Sequence, residues 1–195
     1  LQEVNAVAEI DIADATVRRI IPLGYKNFGA AGNGIDASDK DDHIDIRPRS
    51  GLFGILQPDT VRIYQQNGKR LLVTANEGDS RVRPTSDDTV SGLEEGAIFQ
   101  DEASLEDWPT VGTQFEKQTS DTELGRLKLV RDLVDGHLDE KGRPTRLFAF
   151  GGRSFSIIDL TTGDIVFDSG DDFEQITAQQ FPEFFNVSNL SLIHI

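Results

Sequence analysis

Short apolar runs separated by turn residues form the most regular part of the chain, between positions 146 and 174. The runs Leu147–Gly151, Phe155–Leu160 and Ile165–Asp168 are rich in Phe, Ile and Val, and Gly-Gly-Arg-Ser and Thr-Thr-Gly-Asp separate them. This pattern predicts antiparallel strands joined by tight turns. Because each run is nearly apolar on both alternations, both faces of the predicted sheet should be covered, which is typical of a β-propeller blade.

A second hairpin is predicted where Val61–Gln65 and Arg70–Ala75 flank the dipeptide Asn67-Gly68. Asn-Gly fits the left-handed residues of a type I′ turn, so it is the strongest local hairpin signal in the chain. We expect these two strands to begin a blade.

A weak internal repeat links the two ends of the chain. Val4–Ile12 alternates into Thr16–Leu23, and its Ile10-Asp11-Ile12 step recurs as Ile158-Asp159-Leu160. The repeat predicts equivalent hairpins in consecutive blades, in which each Asp accepts backbone N–H groups near its turn.

Together these elements predict a mostly β fold, a partial β-propeller of about two to three antiparallel blades, since a blade takes about forty to fifty residues. The polar segments near 24–58 and 83–123 are predicted to be long acidic loop insertions. A short helix is expected from about 93 to 108, a strand over 125–133 and a helical turn over 172–185.

The ends of the chain suggest a fragment of a longer protein. The sequence begins at Leu1 without a Met, and no terminal apolar run is long enough for a signal or membrane segment. Residues 190–195 are expected to be an adapter-derived tail, with a native terminal strand as the alternative. We therefore expect 1–189 to be part of one propeller domain whose remaining blades lie outside this sequence.

Three blocks of the chain carry a family resemblance. They are IIPLGYKNF with GNGIDASDKDD over 20–42, LLVTANEGDSR over 71–81, and GGRSFSIIDLTTGDIVFDSGDDFEQITA over 151–178. In the same order, these blocks resemble the choice-of-anchor I family, predicted extracellular bacterial propeller proteins that are similar to a sea-urchin cell-surface glycoprotein. Some members carry an alkaline-phosphatase label. The resemblance implies a secreted or surface-anchored protein of undefined activity, and it carries over no functional residues.

The charge of the chain narrows the classes of partner. A formal net charge of −15 and a sequence pI near 4.5 argue against nucleic acid, because phosphate contact needs clustered Lys and Arg. An acidic surface attracts cations, although a saline habitat would also explain it. The absence of Cys removes thiolate metal sites, disulfides and cysteine nucleophiles.

Candidate cation ligands lie in three acidic segments. Two of these segments follow predicted strands whose ends should meet at one rim, and the third is a Gly-rich loop that could join them. The predicted metal ligands are Glu77 and Asp79, then Asp168, Asp171 and Asp172, and in the loop Asp36, Asp39 and Asp41. Ca²⁺ is the predicted ion because these ligands are all oxygen. The alternatives are a solvated acidic loop and direct carboxylate pairing by Arg81 and Arg153.

Two functions remain open at this point. The first is a calcium-stabilised extracellular binding module for an unknown ligand. The second is a metal-dependent phosphohydrolase, which needs a nucleophile between metals held by several His and Asp residues. His43 and His137 both lie beside turn residues and are predicted to be exposed loop histidines, and no P-loop, nucleophile elbow or paired-His motif occurs. Binding is therefore favoured over catalysis.

Overall fold

The computed structural model describes residues 1–84, 98–131 and 137–186, and these residues form a mostly β structure, which confirms the predicted class. The strands are β1 (Ala6–Asp11), β2 (Thr16–Pro22), β3 (Tyr25–Asn27), β4 (Leu52–Ile55), β5 (Thr60–Gln66), β6 (Lys69–Asn76), β7 (Val82–Pro84), β8 (Ile98–Gln100), β9 (Glu102–Ser104), β10 (Lys128–Val130), β11 (Leu147–Phe150), β12 (Ser154–Asp159) and β13 (Ile165–Asp168). The helical elements are α1 (Asp172–Gln180) and 3₁₀ turns at Gln2–Val4, Leu105–Asp107, Thr113–Phe115 and Pro182–Phe184.

A four-stranded antiparallel sheet, in the order β13-β12-β6-β5, contains two of the predicted hairpins. Its β5–β6 turn places Asn67 and Gly68 at φ 51° and 77°, which is the left-handed geometry expected of Asn-Gly. Both β6 and β13 run antiparallel to β12. Their C-terminal residues therefore lie at the same end of the sheet, near the N-terminus of β12. Several of the candidate acidic residues follow these two strands and so begin at this end of the sheet.

A five-stranded sheet has the order β3-β4-β11-β10-β9, and its β4–β11 pairing is parallel. Leu147–Phe150 therefore belongs to a different sheet from β12 and β13, contrary to the prediction that the three runs share one sheet. The chain leaves β11 through Gly151 and Arg153, which have φ of 78° and 48°. This sharp turn directs the chain from one sheet into the other.

The internal repeat corresponds to two hairpins of matching geometry. In β1–β2 and in β12–β13 the pairing shifts register just before the repeated Asp, so Ile10 pairs with Val17 and Ile158 with Ile165. Each Asp then accepts a backbone N–H two residues ahead, since the oxygen–nitrogen distance is 2.9 Å both for Asp11 to Ala13 and for Asp159 to Thr161. The predicted structural role of these two Asp residues is confirmed.

The largest core cluster is built mainly from segments that were predicted to be loops. Residues 24–58 contain β3 and β4, and the fully buried Phe28, Ile35 and Leu52 pack with Leu105 and Phe115. The helix predicted over 93–108 is wrong in its described part, because 98–104 form β8 and β9 and only Leu105–Asp107 is helical. Pairing with β7 and β10 overrides the local helical preference.

Two further predicted elements are present in the structure. The strand expected over 125–133 contains β10, and the helical turn expected over 172–185 contains α1 and the 3₁₀ turn at Pro182–Phe184. The hairpin β1–β2 packs on one face of the four-stranded sheet, where Ile21 and Leu23 contact the cluster of Leu72 and Ile158. The tail prediction for 190–195 lies outside the described residues.

Candidate cation site in the acidic loop

A buried ion pair connects the four-stranded sheet to α1. Arg153 Nε lies 2.7 Å from Glu174 Oε1, and the side chains are 5% and 2% exposed. Arg153 also donates to the carbonyl of Asp36 at 3.2 Å, and Glu174 Oε2 accepts the N–H of Asp36 at 3.3 Å. Burial raises the pKa of Glu174, while the Arg153 charge opposes that shift. This pair fixes the start of the acidic loop.

The carboxylate of Asp36 closes the acidic loop, residues 36–45, into a ring. Its two oxygens accept the N–H groups of Ser38 at 3.3 Å and Asp45 at 3.1 Å. Asp36 is almost fully buried, and burial raises its pKa. Because the loop is held at both ends by one side chain, the acidic residues between those ends are brought together.

Three side chains of this loop could hold a metal ion. One possible ligand atom from each of Asp41, His43 and Asp45 lies within 4.8 Å of the others, and among the described residues no other such group of three is found. His43 Nδ1 lies 2.7 Å from the Asp41 carbonyl, which can only accept, so Nδ1 carries the proton and Nε2 is left as the ligand atom. This hydrogen bond, followed by the nearby Asp41 carboxylate, raises the pKa of His43.

The loop also borders an open cleft of about 350 Å³. The residues that line the cleft include Asp36, Asp39, Asp41 and His43 of the loop together with Phe185 and Asn186. Asn186 donates to the carbonyl of Ser38 at 3.0 Å, which ties the end of the described chain to the loop. The cleft therefore presents oxygen and nitrogen ligands to solvent from a fixed backbone.

Arginine and lysine compensate part of this negative charge. Asp39 lies 3.1 Å from Arg126 and 3.4 Å from Lys40, and Asp45 lies 2.5 Å from Arg47. These cationic side chains neutralise carboxylates of the loop, which is the kind of pairing that was predicted for Arg81 and Arg153. Within the described residues, Asp41 is paired with His43, whose Nδ1 lies 3.7 Å from its carboxylate.

The acids at the rim of the four-stranded sheet have a different environment. Asp168 accepts hydrogen bonds from the hydroxyls of Ser154 and Ser156 at 3.0 and 2.6 Å, and the Asn76 amide donates to the same two hydroxyls. The cation facing Asp168 is Lys26, whose Nζ lies 3.8 Å from the carboxylate and donates to the carbonyl of Gly152. Burial lowers the pKa of Lys26, and Asp168, Glu174 and Asp171 oppose that shift in this order.

The other predicted residues are placed separately. Asp171 accepts the N–H of Gly34 at 2.8 Å, so it links α1 to the loop that precedes Asp36. Asp172 begins α1 and is exposed, as is Asp79. Glu77 lines a small cavity together with Arg153, and Arg81 bonds Asp101 at 2.7 Å.

Sequence reasoning missed four residues that matter here. His43 was expected to be a plain loop histidine and Asp45 was not considered, although the alternation Asp41-x-His43-x-Asp45 was visible. Lys26 and Glu174 lie in apolar or helical surroundings, and no local pattern indicates that they are buried against distant charges. Their roles depend on contacts across more than one hundred positions.

Within the described residues, no helix is both long and apolar enough to cross a membrane.

Comparison with known proteins places the chain within a family. The family model described as the choice-of-anchor I domain matches residues 1–193. The mesenchyme-specific cell surface glycoprotein of Strongylocentrotus purpuratus is 32% identical over 182 residues, which cover 86% of this chain and 23% of that relative. No solved structure matches the chain significantly. The chain thus spans about a quarter of the length of its curated relative.

Proposed function

This chain belongs to the choice-of-anchor I family, and we propose that it forms part of a secreted or surface-anchored β-propeller that acts as a calcium-stabilised binding module. A surface location is supported by the similarity to the sea-urchin relative, which is a cell surface glycoprotein. Because the chain covers only 23% of that relative, the activity and partners of the whole protein are part of the proposal.

The sheet topology supports the propeller. In the four-stranded sheet, β5, β6, β12 and β13 follow one another in chain order, as the strands of one blade do, with an excursion between β6 and β12. The hairpin β1–β2 repeats the geometry of β12–β13 and covers one face of that sheet. Two such hairpins in neighbouring positions are what the last strands of consecutive blades would give.

The geometry of the acidic loop is the single observation that carries the calcium proposal. Asp36 fixes the backbone of the loop, and one possible ligand atom from each of Asp41, His43 and Asp45 lies within 4.8 Å of the others. Carboxylates and backbone carbonyls are the ligands that Ca²⁺ prefers. The neutral imidazole of His43 would also suit Mn²⁺ or Zn²⁺, so the identity of the ion is tested together with its presence.

Thermal melting of the 195-residue chain tests this proposal. A ligand that binds only the folded state stabilises it by mass action, so we expect Ca²⁺ at one hundred times its Kd to add about 2.7 kcal/mol. The double variant Asp41→Asn with Asp45→Asn should lose this increment. The matched control is Asp79→Asn with Asp171→Asn, two predicted ligands outside the acidic loop, which should keep it. Equal melting temperatures with Ca²⁺, Mn²⁺, Zn²⁺ and chelator would refute the cation site.

Loss of the increment in the Asp79→Asn, Asp171→Asn variant alone would instead place the cation site at those two residues. His43→Ala distinguishes the ions, because loss of a nitrogen ligand should weaken Zn²⁺ binding far more than Ca²⁺ binding.

The phosphohydrolase alternative has less support. Catalysis of that kind requires closely spaced metals and a nucleophile. The described residues bring one histidine, His43, into an acidic group, while His137 lies beside Phe148 with ring centroids 5.8 Å apart. A phosphatase assay with each divalent metal, run on the parent and on His43→Ala, tests this alternative directly.

A further inference from the structure

A cleft of about 620 Å³ runs beside β9, at the edge of the five-stranded sheet, and none of its lining residues belongs to the acidic loop. Its lining includes Glu102 of β9, Asp107, Trp108, Lys128 and Pro144. The volume falls in the range of about 300–1,000 Å³ that is usual for sites that bind small ligands. The cleft is therefore large enough for a ligand of several rings.

Trp108 is half-buried and lines two neighbouring clefts. Its inner side packs against the main core cluster, which fixes the position of the indole. Trp108, Pro109 and Thr110 also line a neighbouring cleft of about 380 Å³ that includes Glu116 and Arg143. Trp108, Pro109 and Thr110 line both clefts, so an extended ligand could contact the two together.

The charges around Trp108 balance one another. Two carboxylates, Glu102 and Asp107, and two cationic side chains, Lys128 and Arg131, line the larger cleft. Lys128 lies 3.6 Å from the Glu102 carboxylate, and Arg131 donates to the Glu102 carbonyl at 3.3 Å. A cleft with equal numbers of opposite charges favours neither anions nor cations, but it offers many hydrogen-bond donors and acceptors.

We propose that this cleft binds a neutral oligosaccharide, with one sugar ring stacked on Trp108. A sugar ring has an apolar C–H face that matches the indole, and its hydroxyls both donate and accept, as the balanced lining requires. This inference deepens the proposed binding role and rests on it. It uses none of the residues of the calcium proposal, so the two can fail separately.

An extended peptide fits the same cleft less well. Peptides that bind beside a strand edge pair with its backbone, and β9 offers only the three residues Glu102–Ser104. The Glu102 carbonyl is already engaged by Arg131. Peptide binding is therefore the competing hypothesis, and the experiment below tests it alongside the sugars.

Fluorescence titration tests the inference directly, because Trp108 is the one tryptophan of the sequence. The 195-residue chain is titrated with cellotetraose, maltotetraose, mannotetraose and the tetramer of N-acetylglucosamine, with calcium and with chelator. We expect at least one sugar to shift the emission to shorter wavelength in a saturable way, since stacking removes water from the indole. An unstructured proline-rich peptide is titrated in parallel.

Two variants establish that the response comes from this cleft. Asp107→Ala should weaken the affinity for the responding sugar about tenfold, the usual effect of losing one charged hydrogen bond. Its matched control is Asp164→Ala, an exposed acid in the β12–β13 turn, which should leave the affinity unchanged. Calorimetric titration of Trp108→Phe, which keeps an aromatic ring in the core, should show weaker but measurable binding.

Three results would overturn the inference. They are no saturable response to any of the four sugars, an affinity unchanged by Asp107→Ala, and a response to the peptide in place of the sugars. A melting temperature of Asp107→Ala equal to that of the parent shows that a loss of affinity is not a loss of fold. If the sugars fail while Ca²⁺ still raises the melting temperature, the calcium proposal stands without this ligand.

Discussion

Arg153 and Glu174 form an ion pair in the interior of the protein, with Arg153 Nε and Glu174 Oε1 2.7 Å apart and both side chains at least nine-tenths buried. Arg153 directly precedes β12, and Glu174 lies in the first turn of α1. Both also contact the backbone of Asp36, one through its carbonyl and the other through its N–H. One ion pair thus holds together a sheet, a helix and the acidic loop.

Breaking this pair should be costly. Arg153→Met leaves the Glu174 carboxylate buried without its cation, and we expect the free energy of unfolding to fall by about 3–5 kcal/mol. Urea denaturation measures the change. Arg18→Met is the matched control, because Arg18 pairs with Asp11 at an exposed site and its removal should leave stability close to that of the parent. Equal stabilities of the two variants would contradict the structural role of Arg153.

The pH dependence of stability should reflect Glu174. Burial raises its pKa in the folded state above the ordinary value of 4.5. The folded state then binds more protons than the unfolded state, so the contribution of Glu174 is greatest below pH 4.5 and falls as the pH rises through the raised pKa.

Comparison with Glu174→Gln isolates this effect, because the variant lacks the titrating group. The free energy of unfolding of the parent minus that of the variant should decrease from pH 4.5 toward neutral pH. A difference that grows over the same interval would mean that the pKa of Glu174 is lowered in the folded protein.

The loops after β6 and β11 cross at two glycines. Gly78 and Gly151 have φ of 83° and 78°, and a Cβ on Gly78 would overlap the backbone of Gly151. Gly78→Ala should therefore lower the free energy of unfolding by about 3 kcal/mol or more, from backbone strain and overlap together. Gly24→Ala has the same positive φ but open space around the new methyl group, so it should show the strain alone, about 1–2 kcal/mol. Similar losses in the two variants would show that the crossing is less tight than described.

The edge strand β13 should promote self-association of the isolated chain. Its Ile165, Val166 and Phe167 are 38–52% exposed, and an apolar edge strand can pair with another chain. Val166→Lys should increase the monomer fraction measured by sedimentation velocity. Thr162→Lys adds the same charge in the adjoining turn and should leave association unchanged. A fully monomeric parent chain would remove the basis for this prediction.

Local patterns in the sequence determined much of the β structure. Asn67-Gly68 fixed one turn, because only a left-handed pair joins the twisted strands β5 and β6 without splaying them. The repeated Asp11 and Asp159 predicted two equivalent turns, because a short carboxylate can cap the backbone two residues ahead of it. Each of these features depends on neighbours within a few positions.

The assembly of the site was decided only by the tertiary structure. The sequence indicated that residues 36–42 are acidic, but not that Asp36 would be buried against Arg153 and Glu174. It also placed Leu147–Gly151 beside β12, whereas pairing with β4 draws that strand into the other sheet. Burial energies and charge pairing depend on which distant segments meet in space. The apolar pattern of a segment does not specify the distant segment against which it packs. Local sequence therefore determined the hairpins β1–β2, β5–β6 and β12–β13 with their turns. Long-range packing decided the remaining strands, and which acids pair with cationic side chains or accept hydrogen bonds.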